Sequence, residues 1–148
     1  MSIPIPCDDE GYVLLQCEYC GNFFKVSSDV IEDERLLHVF CPSCGLISES
    51  YCTGDVIELA ETMLSNYVND MLYDAFKDLE RKNNRNSAIS FKVGKRPSHN
   101  AEEPIRSGIE AMVIASFPCC NRKAKIKPLL KMTGCYCPFC GVKQYEFK

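Results

Sequence analysis

The sequence lacks an apolar run long enough to cross a membrane, and residues 1–9 lack the basic start and apolar stretch of a secretory signal peptide. We therefore expect a cytosolic protein. The chain also lacks a phosphate-binding loop, a zincin helix and any Ser-His-Asp or Cys-His arrangement. Its two histidines do not supply one, because His38 lies in an apolar pattern and His99 in a polar linker. These absences argue against an enzyme.

Cysteine is the residue that the chain has in excess, with eleven in 148 residues. In a reducing cytosol, cysteines two residues apart are typical metal ligands rather than disulfide partners. Two such pairs stand near the N-terminus, each followed by a glycine that permits the turn bringing both sulfurs to one ion. We predict a four-cysteine zinc site, in preference to an iron site, formed by Cys17, Cys20, Cys41 and Cys44.

The region that contains these pairs, residues 11–54, predicts a first zinc ribbon. Apolar residues at 23–26 and 36–40 predict two short strands, and the polar residues 29–34 connect them. Residues 46–52 predict a third strand. We therefore expect a small antiparallel sheet held by the first metal ion.

The C-terminal region repeats this pattern. Cys120 aligns with Cys20, and the Cys-Pro-x-Cys-Gly elements at residues 41–45 and 137–141 align with each other. Alternating apolar residues from 109 to 117 predict a strand that leads into the repeat. We therefore predict a second zinc ribbon, basic in character, over residues 109–148, so that the chain would hold two zinc ions.

The fourth ligand of the second site is less regular, because Phe117 stands where the counterpart of Cys17 is expected. Cys119 and Cys135 are the two candidates. We favour Cys119, because the first pair of ligands in a ribbon comes from the turn opposite the second pair. Adjacent cysteines on a strand point to opposite faces, so this choice requires the backbone to turn between Pro118 and Asn121. The predicted ligands are Cys119, Cys120, Cys137 and Cys140, and we expect Cys7, Cys52 and Cys135 to be idle or buried thiols.

Between the ribbons, apolar residues from Ile57 to Leu79 recur at helical spacing. They predict a long amphipathic helix, from about residue 55 to residue 82, within a helical segment that we place at residues 55–84. Residues 85–108 predict a strand around Ile89 to Val93 and then a polar linker. The expected fold class is a small, metal-stabilised α+β protein in which a long helix joins two four-ligand zinc ribbons.

Charge is unevenly distributed along the chain. Residues 1–83 carry sixteen acidic and five basic side chains, a net of −11, whereas residues 117–148 carry seven basic side chains and one acidic, a net of +6. This opposition permits self-association of the basic tail with the acidic front of another copy. The basic C-terminal region also contains a cluster of basic residues, which predicts nucleic-acid binding as an alternative function. Its residues are Arg122, Lys123, Lys125, Lys127 and Lys131.

The paired cysteines, the helix after them, the segment Ile89-Ser90-Phe91-Lys92-Val93 and the terminal Cys137-Pro138-Phe139-Cys140-Gly141 together resemble bacterial proteins labelled as containing a zinc ribbon of the transcription factor IIB type. The resemblance covers most of the chain and implies two ribbons, but no role in transcription initiation. Some relatives have Cys-His where this chain has Cys119-Cys120, which supports adjacent ligands. We expect a non-enzymatic zinc-binding adaptor or structural subunit that binds a protein partner, in a larger bacterial complex of defence or repair.

Overall fold

A computed structural model describes residues 2–86, 88, 90–106, 108 and 111–147, and of Asn86 it describes the backbone only. The chain divides into two compact units. The ribbon unit comprises residues 1–56 and 105–148, and the helix unit comprises residues 57–104. Both four-cysteine groups belong to the ribbon unit, although the long helix separates them in sequence.

A four-stranded antiparallel sheet forms the centre of the ribbon unit. Its strands are β1 (Tyr12–Gln16), β2 (Phe23–Ser27), β3 (Val113–Phe117) and β4 (Arg122–Ile126), in the spatial order β1-β2-β4-β3. The predicted strand at 23–26 is confirmed. The strand predicted at 109–117 is confirmed for Val113–Phe117, whereas residues 111–112 form no strand and residues 109–110 lie outside the described residues. The strands β2 and β4 pair directly, with Lys25 opposite Lys125. The two ribbons therefore share one continuous sheet, which the sequence did not predict.

Shorter elements complete each ribbon. A helical turn, α1 (Ser28–Ile31), follows β2, and a short helix, α3 (Pro128–Thr133), follows β4. Near the C-terminus, β5 (Cys135–Tyr136) pairs with β6 (Lys143–Gln144).

Two predicted strands in the first ribbon are wrong. Residues 36–40 and 46–52 form no strand, and their backbones pair at an isolated bridge between Phe40 and Ile47. A side chain takes up some of the backbone groups that the missing ladder would pair, because the Tyr51 hydroxyl donates to the carbonyl of Val39 and accepts from the N–H of Ser48. The apolar residues at 36–39 instead line a groove, described below.

The core of the ribbon unit is drawn from both ribbons. One face of the sheet carries alternate apolar side chains, as expected when every second residue of a strand points the same way. Edge-to-face aromatic contacts join Phe24 to Tyr51 and Phe117 to Phe139. The buried core residues are Phe24, Val26, Ala115, Phe117, Ala124, Ile126, Cys135, Cys137 and Phe139.

The long helix α2 spans Gly54–Asn86, so the predicted helix is confirmed and extends four residues beyond its predicted end. At 1.5 Å per residue it is about 50 Å long. Residues 90–104 form no strand, so the strand predicted around Phe91 and Val93 is wrong for the described residues, and Ile89 lies outside them. Segment 93–102 runs instead beside α2 in the opposite direction. Polar contacts join the two: Val93 with Glu80, Arg96 and His99 with Asp70, and Asn100 with Asn66.

Candidate metal centres

The first cysteine group lies at the ends of β1 and β2 and in a facing turn. The sulfur atoms of Cys17, Cys20, Cys41 and Cys44 all lie within 4.8 Å of one another. The Sγ–Sγ distances are 3.8 Å from Cys17 to Cys44 and 3.6 Å from Cys20 to Cys41. A tetrahedral ion about 2.3 Å from each sulfur would hold the sulfurs about 3.8 Å apart. The group therefore fits a metal ion of this kind.

The second group lies at the opposite end of the sheet order, in the β3–β4 turn and in the turn between β5 and β6. It joins the sulfurs of Cys119, Cys120, Cys137 and Cys140, again within 4.8 Å, with Cys119 and Cys140 3.5 Å apart. These are the four residues that the sequence singled out, and they could hold a second metal ion.

The adjacent cysteines share one centre because the backbone turns after them. Asn121 adopts a left-handed conformation with φ of 52°, which asparagine tolerates better than most residues. The N–H of Cys120 also donates to the carbonyl of Phe117, at 3.3 Å. Cys135 is not part of the group. It is 1% exposed in the apolar core, and burial raises the pKa of its thiol to about 11.

The two Cys-Pro-x-Cys-Gly turns contact each other in a nearly symmetric way. The N–H of Phe40 donates to the carbonyl of Pro138, and the N–H of Tyr136 donates to the carbonyl of Pro42, at 2.8 and 2.9 Å. Glycine is needed in both turns. At Gly141 φ is 74°, and a Cβ there would lie 2.8 Å from the ring of Phe40, while the ring of Tyr136 covers Gly45 in the same manner. Each turn is thus covered by an aromatic ring of the other ribbon.

The protonation of the cysteines depends on their burial. Burial raises the pKa of Cys41 and of Cys137 far above the usual thiol range. Burial would also raise the pKa of Cys20, but donors from Asn22 and from neighbouring thiols lower it to about 7. A metal cation displaces the protons of the thiols that coordinate it, so metal binding would convert each group to thiolates.

One contact connects the second ribbon to the first metal group. The Nζ atom of Lys127 donates to Oδ1 of Asn22 at 2.8 Å. The amide nitrogen of Asn22 in turn lies 3.5 Å from Sγ of Cys20 and 3.0 Å from the hydroxyl of Ser43. Lys127 therefore orients an amide that donates towards a sulfur of the first group.

A buried ion cluster holds the middle of the sheet. Lys25 and Lys125, the paired residues of β2 and β4, are 5% and 9% exposed. Their Nζ atoms lie 3.2 and 2.6 Å from Oδ2 of Asp8, and Lys125 also contacts Glu10 at 3.2 Å. Burial would raise the pKa of Asp8, but hydrogen bonds from Lys125, from the Tyr12 N–H and from Lys25 outweigh it and lower the pKa. We call Asp8, Lys25 and Lys125 the lysine clamp.

Most side chains of the basic cluster predicted from the sequence make contacts within the chain. Besides Lys125 and Lys127, Arg122 pairs with Asp33 at 2.8 Å and lies over the ring of Phe139. Lys131 donates to the carbonyl of Ile114 at 3.1 Å. Lys123 remains exposed.

The residues that sequence analysis left unassigned lie outside both groups. Cys7 and Cys52 are exposed, His38 lines an apolar groove, and His99 pairs with Asp70 at 2.8 Å.

None of the helices in the described part of the chain is long and apolar enough to cross a membrane. Comparison with known protein families, with curated proteins and with solved structures finds no match to this chain.

Proposed function

We propose that this protein is a zinc-stabilised, non-enzymatic adaptor or structural subunit that binds a protein partner. The observation that carries the proposal is the pair of four-cysteine groups. Four thiolates complete the tetrahedral shell of Zn²⁺, whereas a catalytic zinc keeps one position open for water or substrate. Both groups therefore suit a structural role. Zinc is the metal proposed because it is the usual occupant of closed four-thiolate sites.

The partner-binding part of the proposal rests on α2. One face of the helix, at Asn66, Asp70 and Glu80, contacts residues 93–102 through polar groups. The opposite face is apolar and open to solvent. Exposed apolar residues in a row on a helix are typical of a protein-binding surface. They are Ile57, Leu64, Val68, Met71, Leu72 and Leu79, each at least 42% exposed.

A two-part experiment tests this function. The first part is metal analysis of the purified chain, for which we expect two zinc ions. The second compares affinity capture from a native extract by the wild type and by a Leu64→Glu/Met71→Glu variant. We expect both proteins to retain their metal and only the wild type to capture its partner. Equal capture by the two proteins would contradict the role of α2.

Nucleic-acid binding by the basic cluster is the alternative function, and it has less support because four of its five basic side chains contact groups within the chain. Lys123 is the exposed member. If nucleic acid binds, affinity should fall steeply as salt increases, because each phosphate contact releases counterions. A Lys123→Gln variant should then weaken binding while leaving the lysine clamp intact.

A further inference from the structure

An open apolar groove lies in the first ribbon, apart from both cysteine groups. Its volume is about 360 Å³. One wall comes from β1, and the others come from residues 36–39 and 47–56. The side chains that line its interior include Val13, Leu15, Leu36, Val39, Tyr51 and Val56.

The edge of the groove is also apolar and is unusually exposed. Leu37 is 82% exposed, and Ile31 and Ile47 are also exposed. Ser48, in the lining, has a buried hydroxyl with no hydrogen-bond partner among the described residues. A large open apolar patch with an unsatisfied polar group favours a site that another segment covers.

The charges around the groove define which segment would suit it. Residues 1–56 carry ten acidic and two basic side chains, a net of −8. Both basic side chains are already paired, Lys25 with Asp8 and Arg35 with Asp33. Three exposed glutamates lie within two residues of the groove lining in sequence and make no ion pair within the described ranges: Glu32, Glu34 and Glu49. A complementary segment would be apolar and basic.

The second ribbon carries a surface of this chemistry on α3. Met132 is 82% exposed and Leu129 is 66% exposed, with Lys131 between them in sequence. Gly134, directly after α3, lies against Tyr145, and the Nζ atom of Lys143 is 5.4 Å from the centre of that ring. Residues 117–148 carry a net charge of +6.

We propose that the groove of one copy binds the α3 surface of a second copy, so that the acidic first ribbon receives the basic second ribbon of its neighbour. Met132 and Leu129 would fill the groove, while Lys143 would face the glutamates at its edge. The contact joins two different surfaces. It therefore forms either a dimer with two reciprocal contacts or a longer assembly. This inference goes beyond the proposed function, which concerns a different protein bound to α2.

Sedimentation analysis of the metal-loaded full chain, over a wide range of concentration and at two salt concentrations, tests the proposal. We expect the wild type to self-associate and to dissociate as salt screens the opposed charges. Leu37→Glu and Met132→Glu should each raise the dissociation constant at least about tenfold, as the loss of a central apolar contact does. Both side chains are 82% exposed, so neither substitution disturbs the core.

Mixing the two variants is the sharpest part of the test. The Leu37→Glu chain retains its α3 surface and the Met132→Glu chain retains its groove, so together they should form a one-to-one complex that neither forms alone. Met71→Glu on α2 is the matched control and should leave self-association unchanged. A wild type that stays monomeric, variants that fail to complement each other, or loss of association in Met71→Glu would each overturn the proposal. Each of these results would leave the proposed binding of a different protein through Leu64 and Met71 unaffected.

Discussion

The lysine clamp provides the most direct test of how the two ribbons are held together. In an Asp8→Asn variant, the side chain keeps its size and an oxygen that can accept the N–H groups of Glu10 and Tyr12. The negative charge is lost. Lys25 and Lys125, which are 5% and 9% exposed, lie opposite each other on β2 and β4. Their ammonium groups would then face each other without the carboxylate of Asp8.

The size of the effect follows from the partners that remain. Removing one member of a buried ion pair typically costs about 3–5 kcal/mol. Glu10 would still contact Lys125, whereas Lys25 would have no acidic partner in the clamp, so we expect the lower end of this range, about 3 kcal/mol. For a chain of this length, that corresponds to a fall in Tm of about 6–12 °C.

Thermal and urea unfolding of the metal-loaded chain measure this loss. Asp9→Asn is the matched control, because Asp9 is exposed beside the clamp and its substitution should change the free energy of unfolding by less than about 0.5 kcal/mol. Adding Lys25→Met to Asp8→Asn removes an unpaired charge and should restore part of the lost stability. Equal stability of Asp8→Asn and Asp9→Asn would mean that the two lysines do not need the carboxylate, and that the clamp does not stabilise the sheet.

Three further predictions concern the metal groups. Cys119→Ser should reduce the metal content from two ions to one, which metal analysis would show. Cys135→Ser should leave two ions but lower the Tm in thermal unfolding, because it places a hydroxyl in the apolar core. Lys127→Met should weaken metal binding at the first group alone, by about tenfold, since it frees the Asn22 amide that donates towards Cys20, and competition with a chelator would measure it. Metal affinity at both groups should fall as the pH falls, because binding must displace protons from thiols whose pKa burial has raised, and titrations at several pH values would show it. An affinity that does not change with pH would contradict that assignment.

The sequence predicted those features that depend on local spacing. Four cysteine ligands in two turns and a 3.6-residue apolar period are local patterns, and the structure confirms the helix and brings together the eight predicted cysteines. The adjacent Cys119 and Cys120 were also foreseen, because the repeat located the turn that Asn121 makes.

Contacts between distant parts of the chain were not predicted. The pairing of Lys25 with Lys125 joins residues one hundred positions apart, and no local pattern marks it. One signal was present in the sequence, since the repeat aligns these two lysines and each lies between apolar residues of its strand. The strand predicted at 36–40 failed for a related reason. Its apolar residues line a groove instead of pairing in a sheet, and periodicity alone does not distinguish the two arrangements.

Metal content shows most directly whether the protein has two structural metal centres. Native mass spectrometry together with elemental analysis of the purified chain gives both the number and the identity of the bound ions. We predict two zinc ions per chain, one lost in Cys44→Ser and the other in Cys119→Ser. A chain that binds no metal, or one ion that both substitutions remove, would contradict two independent structural centres. Iron in place of zinc would contradict the proposed structural role and would favour electron transfer.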